Sequence, residues 1–350
     1  MTAAVTGAPG ARVLVTGASG LLGGAVATRL VAQGYAVRTF QRGRAGIAGA
    51  DEARGSLTDG AAVRRAVHGC DVVVHLAAKV SLTGPEAEFW AVNVEGTRTL
   101  LAAARASGVR RLVQVSSPSV AHVGAAIVGD GAGPADPARA RGPYARTKAA
   151  GELAALAASS PELGVIAIRP HLVWGPGDTQ LVGRVVERAR ARRLPLLGSG
   201  AALIDSTYLD NAADAICAAV TAPASAYGLA YVVTNGEPRP IRDLLAGICG
   251  AAGVPAPAWS VPAGLARTAG GAVERLWAAG ARVREVRGVR GVRPVGSTGA
   301  AEPPMTRFLA EQLSTAHWFD QRATRAALAW RPAVTLDDGF ALLAASYRTV

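Results

Sequence analysis

The stretch Thr16-Gly17-Ala18-Ser19-Gly20-Leu21-Leu22-Gly23 follows the apolar, β-branched run Arg12-Val13-Leu14-Val15. It opens a segment of helical spacing (Leu22, Val26, Leu30) that closes at Gly34. A glycine triplet means little alone, but between a buried strand and a helix it restricts the chain to a strand–turn–helix that receives a dinucleotide. Gly17 permits the tight turn, Gly20 lets the backbone approach a pyrophosphate, and Gly23 lets the helix pack close to the strand. Ser19, Leu21 and Leu22 complete the cradle, because the first turn of the helix presents unpaired N–H donors and positive potential to phosphates.

The rest of the N-terminal part keeps the same rhythm. Apolar runs predict strands over 35–40, 71–76, 111–115, 165–168 and 231–234; helical spacing predicts helices over 93–107, 144–158 and 205–220. Continuous apolar strands alternating with helices indicate an α/β fold, a doubly wound parallel (Rossmann) sheet covered on both faces. After Pro176 the rhythm loosens: a helix over 181–193 carries many arginines, and beyond Pro238 there are helices and prolines with little strand signal. A smaller, mostly helical C-terminal substrate domain is expected. The division is 11–180 plus 205–235 for the dinucleotide-binding domain and 181–204 plus 236–350 for the substrate domain.

Composition narrows the function. Of 350 residues, 50% are hydrophobic and 18% charged, so a large core is easy to build and wholesale disorder is excluded. The net charge is +12, yet only Lys79 and Lys148 are lysines and aromatics are only 5%. Nucleic-acid binding would need a basic stripe with stacking aromatics, so no nucleic acid is expected as a partner. Cys70, Cys217 and Cys249 are widely spaced with no Cys/His metal pattern, which reads as reduced thiols in a cytoplasmic protein without a metal. The first ten residues lack a basic start and apolar core, so no secretory signal is expected. No run of about 18 apolar residues occurs, so no transmembrane segment is expected. The stretch 265–295, with seven arginines against two glutamates, is read as a solvated face, with peripheral membrane contact as the alternative.

The chemistry is carried by Tyr144-Ala145-Arg146-Thr147-Lys148, which places a phenol and an amine four apart on one helix face. A phenol near pKa ~10 is a poor base at neutral pH, and a neighbouring ammonium together with an oxidised nicotinamide ring is expected to favour the phenolate by charge attraction. In the reducing direction the same phenol donates a proton to a carbonyl oxygen as hydride arrives. Ser116 and Ser117 follow the strand over 111–115, at the sheet edge where such folds bind ligands, and a hydroxyl there polarises the same carbonyl. After the second strand come Phe40-Gln41-Arg42 and no acid, so nothing there accepts from a ribose 2′-hydroxyl. Arg42 suits a 2′-phosphate instead, which favours NADP(H) over NAD(H). His75 is read as a packed core residue, and His122 and His171 as candidate substrate contacts.

Together these residues resemble the extended short-chain dehydrogenase/reductases: Thr16-Gly-x-x-Gly-x-x-Gly23, His75-Leu-Ala-Ala78, Asn93-Val-Glu-Gly-Thr97, Ser116-Ser117, Tyr144-x-x-x-Lys148 and Arg169-Pro170. The resemblance implies catalytic roles for Ser117, Tyr144 and Lys148, with Asn93 in a proton relay. It implies that Lys148 holds the nicotinamide ribose, that Ala77 and Ala78 flank the cofactor, and that Pro170 packs beside the nicotinamide. Where the family commonly has Gly-Asp-Leu, this chain has Gly55-Ser56-Leu57, which removes the usual adenine contact.

A narrower likeness is to the 3β-hydroxysteroid dehydrogenase-like branch. It rests on Ser117-Pro118-Ser119-Val120, Arg169-Pro-His-Leu-Val-Trp-Gly-Pro-Gly-Asp178, Tyr208-Leu-Asp-Asn-Ala212 and Glu302-Pro-Pro-Met-Thr-Arg-Phe308. Within it the chain is most similar to the 2-alkyl-3-oxoalkanoate reductases of bacterial long-chain olefin biosynthesis. That implies reduction of a hydrophobic, long-chain 2-alkyl-3-keto acid to the 3-hydroxy acid, and a homodimer is expected. Two enzymatic alternatives stand beside it: a 3β-hydroxysteroid dehydrogenase, and a sugar-nucleotide epimerase or dehydratase. Such epimerases carry a phosphate-binding asparagine where this chain has Leu172. A non-catalytic NADP-sensing scaffold is the alternative of a different class; scaffolds of that kind often lose the tyrosine or the lysine, and this chain keeps both.

Overall fold

The computed structural model describes residues 10–81, 84–266, 268–271, 273 and 307–348. The arginine-rich stretch 265–295, apart from its first residues, and most of the 302–308 motif therefore lie outside the described residues.

Strand β1 (Arg12–Thr16) runs into the glycine turn and helix α1 (Leu21–Ala32), followed by β2 (Ala36–Gln41), β3 (Asp51–Arg54), α2 (Gly60–Val67) and β4 (Val72–His75). Next come α3 (Glu86–Trp90), a π-helical turn (Ala91–Glu95), α4 (Gly96–Ala106), β5 (Arg111–Val115), the short strand β6 (Ile127–Asp130), α5 (Gly142–Ala157) and β7 (Gly164–Pro170). Beyond them lie α6 (Val182–Arg190), α7 (Leu209–Thr221), a strand Ala230–Val233 and α8 (Ile241–Ala251).

Seven strands form one parallel sheet in the order Ala230–Val233, β7, β5, β4, β1, β2, β3. The order reverses between β1 and β4, and ligands of open α/β sheets bind at such a switch point. The continuous apolar strands follow from burial on both faces. Val13, Val15, Val72, Val74, Ile166 and Ile168 pack under α1 and α7, whereas Leu14, Val73, Leu112 and Val165 pack under α2, α4 and α5. β3 carries no apolar run: its Asp51-Glu52-Ala53-Arg54 sequence is almost fully exposed, because an edge strand needs no apolar face.

A separate cluster gathers Trp174, Val185, Ile204, Tyr208, Leu244, Ile248, Leu336 and Leu343 beyond the carboxyl edge of the sheet. Helices dominate there, but a small four-stranded sheet also forms, from Arg239–Pro240, Leu203–Ile204, His317–Phe319 and β6. Its strands have two to four residues, too short for sequence periodicity to reveal. Among the described residues no helix is long and apolar enough to cross a membrane.

Candidate active site

The glycine turn has the shape expected of a phosphate cradle. Gly17 lies at φ +77°, where a Cβ would stand 2.8 Å from the Ala77 nitrogen and 2.9 Å from its Cα. A Cβ on Gly23 would stand 2.3 Å from the Gly17 carbonyl oxygen. Gly20 caps α1 without any side-chain hydrogen bond, so the first N–H groups of the helix, from Leu21 to Gly23, have no side chain closing them off. Ser19, Gly20 and Leu21 are exposed and Leu22 is half-buried against the core. An open helix terminus beside a turn that excludes a side chain at Gly17 and Gly23 fits the pyrophosphate of a dinucleotide.

A directional chain of hydrogen bonds ties this turn to the rest of the site. The Ala77 N–H donates to Thr16 Oγ1 (3.1 Å), so the Thr16 hydroxyl is free to donate to His75 Nδ1 (2.7 Å). His75 then carries its proton on Nε2 and donates to Thr97 Oγ1 (3.1 Å), whose hydroxyl donates to the Asn93 carbonyl (2.8 Å). His75 is thus the packed, neutral residue expected; burial, and then the charge of Lys148, push its pKa down to about 3.

Asn93 sits in the π-helical turn, which was expected to be plain helix. Its Oδ1 accepts the Lys79 N–H (2.7 Å), and its Nδ2 donates to the Lys79 carbonyl (3.2 Å) and Thr147 Oγ1 (3.1 Å). Helix α5 meets it at Gly151, where a Cβ would stand 2.3 Å from the Asn93 carbonyl oxygen.

Tyr144 lies in the first turn of α5, and Lys148 one turn on, 5% exposed, donates from Nζ to the Val115 carbonyl (2.6 Å). Ser117 stands just past β5; its Oγ accepts from the Ser119 N–H (3.3 Å) and hydroxyl (3.0 Å), and its polarity acts on the Tyr144 phenol. Ser116 is buried instead, its hydroxyl without a partner among the described residues. In the protein by itself, burial rather than the charge of Lys148 sets the Tyr144 phenol. Burial dominates and pushes the phenol up to about 12, with Ser117 opposing. Burial likewise pushes Lys148 down to about 8, opposed by the charge of Glu152. The arrangement holds a protonated phenol, poised as an acid.

Glu152 was missed, although Tyr144, Lys148 and Glu152 are spaced by four and share one helix face. It forms a bidentate pair with Arg169 on β7 (2.9 and 2.5 Å), with side chains 0% and 1% exposed. Arg169 also donates to the carbonyls of Ala132 and Gly133, so the pair binds α5, β7 and a surface loop together. Pro170 ends β7, buried, with Ala77 and Ala78 half-buried past β4. Arg42 stands apart from this group, exposed just beyond β2, and Gln41 beside it is buried with Oε1 unpartnered among the described residues. Where the aspartate of Gly-Asp-Leu is replaced, the Ser56 hydroxyl hydrogen-bonds Thr58 Oγ1 (2.8 Å).

His122 and His171 are both buried and meet a third imidazole that the sequence did not single out, His317. The Nε2 atoms of His122 and His317 lie 3.2 Å apart, and the His171 ring packs edge-on to His317 and Phe319. Burial first, then mutual repulsion, push His171 and His317 down to about 3, so the cluster is neutral.

The chain is similar to known proteins. The family model described as the NAD dependent epimerase/dehydratase family matches residues 13–233. The chain is 40% identical over 344 residues to the 2-alkyl-3-oxoalkanoate reductase of Stenotrophomonas maltophilia, covering 96% of this chain and 99% of that one. It is 34% identical to the enzyme of the same name from Shewanella oneidensis, covering 95% and 85%. It is 30% identical to the human sterol-4-alpha-carboxylate 3-dehydrogenase, decarboxylating, covering 96% and 88%. Among solved structures, MoeE5 in complex with UDP-glucuronic acid and NAD superposes with a TM-score of 0.71 over 97% of this chain and 99% of that one. At 22% identity that likeness shows the fold alone. The chain belongs to the NAD dependent epimerase/dehydratase family, the extended short-chain dehydrogenase/reductases, and is an NAD(P)-dependent oxidoreductase.

Proposed function

We propose that this enzyme reduces the 3-keto group of a long-chain 2-alkyl-3-oxoalkanoate to the 3-hydroxy acid, with NADPH as reductant. The observation that carries the reading is the convergence of three groups: Tyr144 in the first turn of α5, Lys148 one turn on with its amine held on the Val115 carbonyl at the end of β5, and Ser117 just past that strand. The nicotinamide cofactor supplies the hydride that becomes the new C–H bond at C3. Gly17, Ser19, Gly20, Leu21, Leu22 and Gly23 receive its pyrophosphate, Arg42 its 2′-phosphate, and Ala77, Ala78 and Pro170 flank it. Ser117 and Tyr144 hold the substrate carbonyl, and Tyr144 gives its proton to the oxygen as negative charge develops there, a contribution of ~10²–10⁴ in rate. Lys148 stabilises the phenolate left behind and holds the ribose; Asn93 orders the proton's replacement from solvent.

The choice of substrate is supported by the two reductases that match along nearly the whole chain. Leu172 packs against the apolar cluster around Trp174 and offers no hydrogen bond to a nucleotide phosphate, which speaks against a nucleotide-sugar substrate. The second reading is a 3β-hydroxysteroid dehydrogenase, supported by the sterol dehydrogenase that matches across 96% of this chain. The division into 11–180 plus 205–235 and 181–204 plus 236–350, a cytoplasmic location and a homodimer belong to the same proposal. Exposed Trp90 and Leu153, on the packed helices α3 and α5, support the dimer. The test is a panel of 2-alkyl-3-keto acids, 3β-hydroxysteroids and UDP-sugars, each with both nicotinamide cofactors. Fastest NADPH oxidation with the keto acids, giving the 3-hydroxy acid, is expected. Fastest turnover of a steroid would install the second reading, and no turnover of any ketone would remove both.

A further inference from the structure

Residues 244–266 contain no charged side chain, although this chain is rich in arginine. In the structure their second half is a ledge on the surface. Trp259 is 49% exposed and Leu265 62%, the largest apolar side chains there. A run so apolar is ordinarily folded inward.

The ledge has a fixed neighbour. Strand Ser260–Val261 pairs in parallel with Leu196–Leu197, and the Leu196 N–H donates to the Trp259 carbonyl (2.9 Å). That pairing brings the ledge beside the end of α6, where Arg190, Arg192 and Arg193 are all exposed. None of the three makes a side-chain hydrogen bond or ion pair among the described residues. An indole and a leucine flanked by unpaired guanidinium groups is the composition of a surface that lies at a bilayer interface. The rings enter the headgroup region and the cations meet lipid phosphates. A protein partner of ordinary composition would bring carboxylates to pair single arginines. Here the apolar and cationic groups lie side by side, as a membrane's acyl boundary and phosphates do.

We propose that the ledge around Trp259 and Leu265, with Arg190, Arg192 and Arg193, is a docking surface for an anionic lipid bilayer. The proposal stands independently of which ketone the enzyme reduces, because none of these residues belongs to the active site described above.

The test is co-sedimentation of the full chain with vesicles of phosphatidylglycerol and phosphatidylcholine in equal parts, against vesicles of phosphatidylcholine alone, at low and high salt. Binding to the anionic vesicles that falls as salt rises is expected. Each basic residue near such a surface contributes about fivefold, so the triple variant Arg190→Ser/Arg192→Asn/Arg193→Ser should bind about a hundredfold more weakly. Trp259→Ala should weaken binding about tenfold without changing its salt dependence. Circular dichroism and thermal melts establish that the variants are folded. No sedimentation of the wild-type chain with anionic vesicles overturns the proposal. So does equal binding to both vesicle types, or binding by the folded variants at wild-type strength; in the last case the contact lies elsewhere on the chain.

Discussion

Replacing Glu152 by glutamine keeps the side chain's shape and removes its charge. Neutralising one partner of a buried ion pair leaves the other charge desolvated and costs about 3–5 kcal/mol. Arg169 would keep the carbonyls of Ala132 and Gly133, so the lower end of that range applies. An unfolding entropy of about 2.1 cal/mol/K per residue gives about 0.7 kcal/mol/K for 350 residues, hence a Tm lowered by about 4 °C. A second effect is specific to the site. The titratable groups that act on Lys148 or feel its charge are Glu152 on its own helix, which is paired with Arg169 from β7, and neutral His75 from β4, with the Tyr144 phenol one turn before it. Glu152 is what holds the amine up against burial, and Lys148 titrates at about 8. The ammonium is present below that pH and lost above it, so activity that needs the charge declines as pH rises through about 8. Without Glu152 the decline begins at lower pH, whereas turnover on the acid side of the profile stays near wild type. The assay is the pH profile of kcat/KM with NADPH, beside thermal melts. The double variant Glu152→Leu/Arg169→Met removes both charges; it should recover most of the lost stability and keep the displaced profile. A Glu152→Gln enzyme that melts early but shows an unmoved alkaline limb would refute the reasoning and leave the pair a purely structural device.

Further outcomes follow from the same geometry. Gly23→Ala pushes a methyl group into the Gly17 carbonyl and should weaken NADPH binding at least about tenfold by calorimetry; an unchanged Kd contradicts the cradle. Arg42→Ser should reduce the preference for NADPH over NADH by about 10–100-fold, the worth of a charge-assisted bond of about 1.5–3 kcal/mol; equal preference in both enzymes would remove Arg42 from that role. His75, His171 and His317 are held near 3, below their unfolded value of 6.5. The unfolded chain therefore binds more protons as pH falls below about 6.5, and stability is lost over that window, by up to about 2 kcal/mol per histidine near pH 5. Urea melts that show equal stability at about pH 7 and about pH 5 would contradict this.

The parts of the fold legible in the sequence are those whose physics is local. β1, the glycine turn and α1 were readable because a buried parallel strand is uniformly apolar and a phosphate turn demands glycine at fixed positions, here Gly17 and Gly23. Tyr144 and Lys148 were readable because helical spacing alone places them together. What escaped depends on partners distant in the chain. The π-helical turn at Asn93 has no propensity signature; it is set by Lys79, Thr147 and the close approach of Gly151. His317 joins His122 across 195 positions, and the small sheet that carries it is made of strands too short to show a period. The desolvation of the Tyr144 phenol also escaped, because the charge of Lys148 is visible in a sequence and burial is not.

The most direct test of the central claim is Tyr144→Phe, which deletes one hydroxyl and leaves the ring. NADPH affinity should stay within about twofold of wild type while kcat for ketone reduction falls by about 10²–10⁴. An unchanged kcat in the phenylalanine enzyme would show that the proton comes from elsewhere and that the assigned site is not where reduction occurs.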